Sequence, residues 1–497
     1  MHPIQSPIYQ IKQIRELERI ATDRFNIPPG ALMQRAGKAA FDFMLRRFPQ
    51  AKHITFFCGP GNNGGDGYVL AQLLHERGLK ISIWQVGNLD HLSEGTKKAL
   101  ASCEKLNMSI QPFDEKADLA HPDLIVDAIL GIGVQTALRS NIVSAIQKIQ
   151  RQHVPIFSLD IPTGIHADNG QVLGAAVQAT ATITFIGLKL GLLTGHGVAH
   201  TGELAFSDLQ LPSDLLSDVP PIAKKMHLSA YADYLKPRTK DWHKGMSGHV
   251  LVIGGDEGYS GAARMAAEAA LRVGAGLVTV ATHPSHAAVL NITCPEIMCR
   301  GIHESSELDD LLEKASIVIL GPGLGLSDWS KMMWVSAVDA PKPKVVDADA
   351  LNLLAGSGVM SEHWVLTPHP GEAGRLLGIS AAEVQEDRLN VIKAICEQYG
   401  GVCVLKGAGS LVLAPNSLPV LCEKGNPGMA SAGMGDVLSG VIGGLIAQGI
   451  PLGDAAKIGV YIHALAGDYA AKEGERGMVA MDLMPFLHHL VNYTNRV

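Results

Sequence analysis

The chain has 497 residues, too many for one ordinary hydrophobic core, so two large domains or three smaller ones are expected. A hydrophobic content of 47% with 54 Gly and only 11 Phe points to a globular α/β protein rich in close backbone approaches. The formal charge of −7 leaves no basic excess to replace phosphate counterions, which excludes non-specific nucleic-acid binding, and no apolar run is long enough to span a membrane.

The start, Met1-His2-Pro3-Ile4-Gln5, lacks the charge and apolar run of a signal peptide. The seven cysteines are scattered, and Cys294 and Cys299 have no second pair to complete a zinc site. Cys58, Cys396 and Cys403 sit in apolar segments as buried thiols, so a reducing cytoplasm is the expected setting. Ile11, Ile14, Leu17 and Ile20 recur as on one helix face. Pro28-Pro29-Gly30 interrupts the pattern, and a second helix is expected from Ala31 to Phe48. Strand and helix then alternate: strand His53–Cys58, helix Tyr68–Glu76, and strands Lys80–Val86, Asp123–Asp127, Val154–Asp160 and Ala181–Ile186. Such spacing implies a parallel sheet covered on both faces. The Pro- and turn-rich stretch Leu211–Pro221 marks a boundary, giving domains 1–221 and 222–497. A second series follows: His249–Ile253, Leu277–Ala281, Ser316–Leu320, Lys344–Val346, Trp364–Leu366 and Val402–Leu405.

The motifs sit at strand ends. Gly59-Pro60-Gly61-Asn62-Asn63-Gly64-Gly65-Asp66-Gly67 matches G-x-G-x-x-G, but the acid expected after the next strand is missing, with Asp90 a poor substitute. Its carboxamides and carboxylate suit a hard cation or sugar hydroxyls, against the plainer reading of an Asx-rich turn. Asp127 and Asp160 end two further strands, and Lys189 follows a fourth, so these loops converge on one pocket. His196 and His200 have helix-type metal spacing but lie in Gly-rich loop sequence, which argues against a metal. In the second half no G-x-x-x-x-G-K-[ST] occurs. Gly-rich strand ends occur instead at Gly254-Gly255, Gly321–Gly325, Thr367–Glu372 and Lys406–Ser410. Asn426–Asp436 is a small-residue stretch closed by Asp436 and followed by an apolar helix from Val437. A helix start attracts phosphate, and a carboxylate beside that cradle is placed to take a proton from an attacking hydroxyl.

This order of motifs resembles the bifunctional NAD(P)H-hydrate repair enzymes over nearly the whole chain. It is carried by Gly61–Gly67 with Asp160-Ile161-Pro162, then by Thr367–Glu372, Leu405–Gly409 and Gly433-Met434-Gly435-Asp436. The resemblance implies two three-layer α/β domains, a Rossmann-like NAD(P)H-hydrate epimerase followed by a ribokinase-like ADP-dependent dehydratase. By the resemblance, Asn62, Asn63, Gly64, Gly65 and Asp66, with Gly131, Ile132, Gly133, Val134, Gln135, Thr136 and Ala137, would bind the epimerase substrate. Asp160 would bind it and move protons; its proton-transfer partner is left open, with Lys189 one candidate. Asn63, Asp127 and Thr163 would hold a potassium ion. In the second half, Ala262, Gly323 and His369 would contact the hydrated nicotinamide nucleotide. Lys406, Gly407, Ala408, Gly409, Ser410 and Gly435 would bind ADP, with a magnesium ion, and Asp436 would be the catalytic base. The implied partners are NADHX, NADPHX, ADP and further copies of the chain, with neither nucleic acid nor membrane. Thr163 stands where Ser is usual but keeps the hydroxyl, and the Ala432 methyl is expected to tighten the anion cradle. Gln135-Thr136 has no reading of its own. The rival reading is a ribokinase-like kinase of a vitamin alcohol fused to a non-catalytic ligand-binding module.

Overall fold

The computed structural model describes residues 6–88, 90 and 92–492, so the leader reading on Met1–Gln5 lies outside the described residues. The chain forms two compact units, Ser6–Ala223 and the chain from Lys224 onward. Among the described residues no helix is long and apolar enough to cross a membrane.

The first unit is built on a seven-stranded parallel sheet. Edge to edge, the strands are Ser109–Pro112, Lys80–Gln85, His53–Cys58, Leu124–Ala128, Ile156–Leu159, Ala181–Phe185 and Glu203–Ser207. Side chains alternate across a strand, so a sheet covered on both faces needs apolar residues in both registers. Ile54, Phe56 and Val126 join a core with helices Ile11–Phe25, Pro29–Arg47 and Asn62–Glu76. Phe57, Trp84 and Ile125 join another with helix Ser140–Gln150. Strand order reverses between His53–Cys58 and Leu124–Ala128, which opens a crevice beyond their carboxyl ends.

The second unit repeats the scheme. Its strands run Met298–Gly301, Leu277–Thr282, His249–Ile253, Ile317–Leu320, Lys344–Val346, Trp364–Leu366 and Val402–Leu405, all parallel. Antiparallel Ser410–Leu413 and Val420–Cys422 follow, and Lys224 and Lys225 pair in parallel with the latter. Val250, Val252, Val345 and Val404 face a core shared with helices Ser260–Arg272, Met434–Ala447 and Leu452–Ala470. Leu251 and Ile253, equally buried, turn to the other face. Here too the strand order reverses, between His249–Ile253 and Ile317–Leu320.

Several sequence expectations need correction. The second helix starts at Pro29 rather than Ala31, the proline's missing N–H being harmless in a first turn. The third helix begins at Asn62 rather than Tyr68, so most of the Gly-Asn loop is helical. The helix after the small-residue stretch begins at Met434, which puts Gly435 and Asp436 in its first turn. Ala432 is exposed, and Cys396 is half-buried rather than buried.

Candidate active sites

In the first unit a cavity of about 490 Å³ lies at the switch point of the sheet. Its wall includes Asn62, Asn63, Asp66, Gly131, Ile132, Gly133, Val134, Asp160 and Lys189. Gly131 separates two of these: a Cβ there would stand 3.3 Å from Asn63 Cβ and 3.6 Å from Asp160 Oδ2. Gly64 and Gly65 belong to the helix packing instead. A Cβ on Gly64 would reach Gly59 O at 1.9 Å, and one on Gly65 would reach Met33 Cε at 2.3 Å. Gln135, Thr136 and Ala137 lie further along the Gly133 loop, outside the residues lining the cavity.

Lys189 is 1% exposed and donates to Asp160 Oδ1, to Thr184 Oγ1 at 2.9 Å and to Phe185 O at 2.8 Å. The Phe185 N–H also donates to Asp160 Oδ1, at 3.3 Å. Asp160 has a left-handed φ of 63°, a costly conformation for a non-glycine residue. Asp66 is different. Burial pushes its carboxyl well above the usual range, Asp160 and Glu18 add repulsion, and Lys189 only partly offsets them. Glu18 is raised by burial and by Asp160. Glu18 and Arg15 line the same cavity from the first helix. Their sequence signal was hidden, because the apolar period of that helix accounts for it as a core element.

Behind this wall Asp127 is fully buried. It accepts from Thr163 Oγ1 at 2.6 Å, Thr163 N at 2.9 Å and Ser158 Oγ at 2.9 Å. Burial still raises its pKa against those hydrogen bonds. Asn63 is buried with both side-chain amide atoms unpartnered, a costly state unless something polar meets them.

In the second unit the polar residues gather at Lys406. Its ammonium lies 2.8 Å from Asp347 Oδ1 and 3.6 Å from Glu372 Oε2. Asp347 Oδ2 accepts from Ser439 Oγ at 2.7 Å. Burial works against the Asp347 charge, but Lys406 and the hydrogen bonds outweigh it and hold the carboxyl below the ordinary value. Burial likewise disfavours the Lys406 charge, and Asp347 and Glu372 more than restore it. Gly435 adjoins them: a Cβ there would stand 3.2 Å from Lys406 Nζ and 3.6 Å from Asp347 Oδ2. Next to it, Asp436 is pushed up to about 7 by burial and by repulsion from Asp347, with Lys406 opposing. Glu372 is pushed up to about 7 by burial, with Lys406 opposing and Asp347 adding to the rise.

His369 caps helix Pro370–Leu377, its Nδ1 accepting from Gly371 N at 2.9 Å, and burial keeps its pKa low. Ala262 and Gly323 adjoin each other beyond the switch-point strands, a Cβ on Gly323 standing 3.0 Å from Ala262 Cβ. The Gly325 N–H donates to Asp349 Oδ2 at 2.9 Å, which ties that loop to the strand end bearing Asp347. The carbonyls of Leu405, Lys406 and Gly409 face the buried Arg388.

Two family models match the chain: one described as YjeF-related protein N-terminus over residues 29–191, one as NAD(P)H-hydrate dehydratase over residues 250–488. A bifunctional NAD(P)H-hydrate repair enzyme from Coxiella burnetii is 48% identical over 98% of this chain and 99% of its own. The chain belongs to the bifunctional NAD(P)H-hydrate repair enzymes. A repair enzyme from Escherichia coli is 43% identical over 99% of this chain and 95% of its own. A hypothetic protein from Streptococcus mutans, solved by crystallography, superposes at a TM-score of 0.51 with 28% identity, covering 55% of this chain and all of that one.

In this repair enzyme, sequence reasoning missed Asp347 and Arg388. Asp347 repeats the signal that exposed Asp127 and Asp160, an acid closing a short strand. Arg388 gave no signal, since a cation on the first turn of a helix reads as an ordinary surface residue. His200, weighed as a metal ligand, has its Nδ1 3.0 Å from Val177 O.

Proposed function

We propose that the two units act in series on hydrated NADH and NADPH, small-molecule substrates met in the cytoplasm. The first interconverts the R and S epimers at C6. The second dehydrates the S epimer with ADP, yielding NAD(P)H, AMP and phosphate. The observation that carries this reading is Asp436, a carboxyl near pKa 7 in the first turn of a helix beside Lys406. That value suits a general base at neutral pH. Asp436 takes the proton of the C6 hydroxyl, and the oxygen attacks the terminal phosphorus of ADP, releasing AMP. The new C6 phosphate ester leaves as the ring-nitrogen lone pair pushes, and loss of a C5 proton restores the dihydropyridine. Lys406, kept cationic, and N–H groups of the Gly407 loop and the Gly435 turn receive the phosphate charge. Ala262, Gly323 and His369 hold the nicotinamide nucleotide.

In the first unit Asp160 is held by Lys189 in the cavity and serves as the acid–base group at C6. The unpartnered Asn63 amide, the buried Asp127 and the Thr163 hydroxyl fit a monovalent cation such as potassium, which would neutralise Asp127 and brace the strand-end loops. Among the described residues no three His, Cys, Asp or Glu cluster for a metal. Magnesium therefore fits as an ion carried mainly on nucleotide phosphates, with Asp436 at hand, where it would neutralise phosphate charge. Phosphorus-31 NMR of S-NADHX with ADP tests the reading. AMP and inorganic phosphate in equal amounts support it, whereas a persisting phosphorylated nucleotide favours the kinase reading.

A further inference from the structure

Arg388 begins helix Arg388–Tyr399 and is 3% exposed, yet it makes no ion pair among the described residues. Its Nη2 donates to Leu405 O at 3.1 Å, Lys406 O at 3.3 Å and Gly409 O at 3.3 Å. Its Nη1 donates to Gln385 Oε1 at 2.9 Å and Lys406 O at 3.3 Å, and its Nε is buried without a partner. Burying a guanidinium among neutral acceptors alone is expensive, because carbonyl dipoles repay only part of its lost hydration. Burial lowers its pKa to about 10, so it still carries its charge at neutral pH.

The contacts also fix the loop. A trans peptide sets its C=O and N–H on opposite sides. With Lys406 O drawn to the guanidinium, the Gly407 N–H turns away from it, and that N–H has no partner among the described residues. Gly407 has a φ of 135°, and a Cβ there would stand 3.0 Å from Arg388 Nη1, so glycine is what lets the loop lie on the guanidinium. The result is a loop braced from behind by an unneutralised cation, with an N–H directed outward. An anion against its outer side would supply the missing counter-charge.

We propose that Arg388 is a positioning residue for the nucleotide phosphates. It holds the Lys406–Gly409 loop in its anion-accepting form and supplies the field that draws the phosphate, without touching it. This rests on the proposal that the loop binds ADP. The test uses the full chain, with ADP binding by calorimetry and steady-state dehydratase kinetics. Arg388→Met keeps the apolar stem and removes the charge and donors. We expect its ADP Kd and KM to rise about tenfold or more, as for loss of charged hydrogen bonds, with the KM for S-NADHX within about twofold of wild type. Gln385→Ala removes one exposed brace, cannot disturb the core, and should raise the ADP KM by about two- to fivefold.

Unchanged ADP affinity in folded Arg388→Met overturns the proposal. So does a fall in kcat alone. If Arg388→Met does not fold, Gln385→Ala decides: an ADP KM equal to wild type overturns the proposal. Wild type that gave no ADP heat would instead overturn the nucleotide site itself, and the role of Arg388 with it.

Discussion

Asp436→Asn isolates the group on which the dehydratase chemistry rests. It keeps size and hydrogen-bonding shape and removes basicity. Turnover of S-NADHX should fall by about two to four orders of magnitude, the usual worth of a general base, while ADP binding persists. In wild type the base is active once ionised, so kcat should rise with pH through about 7 and then level off; the variant should lose that limb. Stability should move the other way. The native carboxyl keeps its proton up to about 7, whereas the unfolded one releases it near 3.8. Wild type therefore loses stability as pH rises through that interval. Taken whole, the difference sets a ceiling of about 4 kcal/mol. Solvent around this half-buried group, and repulsion shared with Asp347 and Glu372, reduce it to about 1–2 kcal/mol. Asp436→Asn should then unfold a few degrees higher than wild type at pH 8 and equal to it near pH 4. The assays are a pH–rate profile at saturating ADP and thermal unfolding at both pH values. Turnover within tenfold of wild type, or a variant less stable at pH 8, would refute the reasoning.

Three further outcomes follow from the first unit. Asp160→Ala, which removes the partner of Lys189, should leave the R epimer to slow spontaneous conversion while S turnover stays normal; chromatography of both epimers reads this, and rapid R clearance would sink the assignment. Gly131→Ala places a methyl between Asn63 and Asp160 and should raise the epimerase KM by about tenfold with little change in melting temperature; unchanged KM would remove Gly131 from the substrate wall. Crystals grown with rubidium in place of potassium should show an anomalous peak shared by Asn63, Asp127 and Thr163, and no peak there would refute the ion site.

The alternation of short apolar strands with helices was readable because the central strands are buried on both faces, as Phe56 and Phe57 show by joining different cores; the largely exposed edge strands Ser109–Pro112 and Met298–Gly301 carry no such apolar run. Asp127 and Asp160 were readable too, since a carboxylate ending an apolar run has no packing reason to be there; Asp347 carries the same signal and was missed. Helix starts at Asn62 and Met434 were not. Glycine disfavours helix in isolation, and only the fit of Gly64 over Gly59 O makes it the required residue. Arg388 was hidden for another reason: its carbonyl acceptors lie 17 to 21 residues away, in a loop whose path follows from the sheet. Glu18 joins the Asp160 cavity through tertiary packing alone.

The central claim is that one chain clears both epimers of a damaged cofactor. Its most direct measurement supplies mixed-epimer NADHX and ADP to the wild-type protein and follows NADH absorbance while chromatography separates R and S. The account predicts that both epimers vanish, with one NADH and one AMP formed for each molecule consumed. Consumption of S alone, or loss of NADHX without NADH, would contradict it.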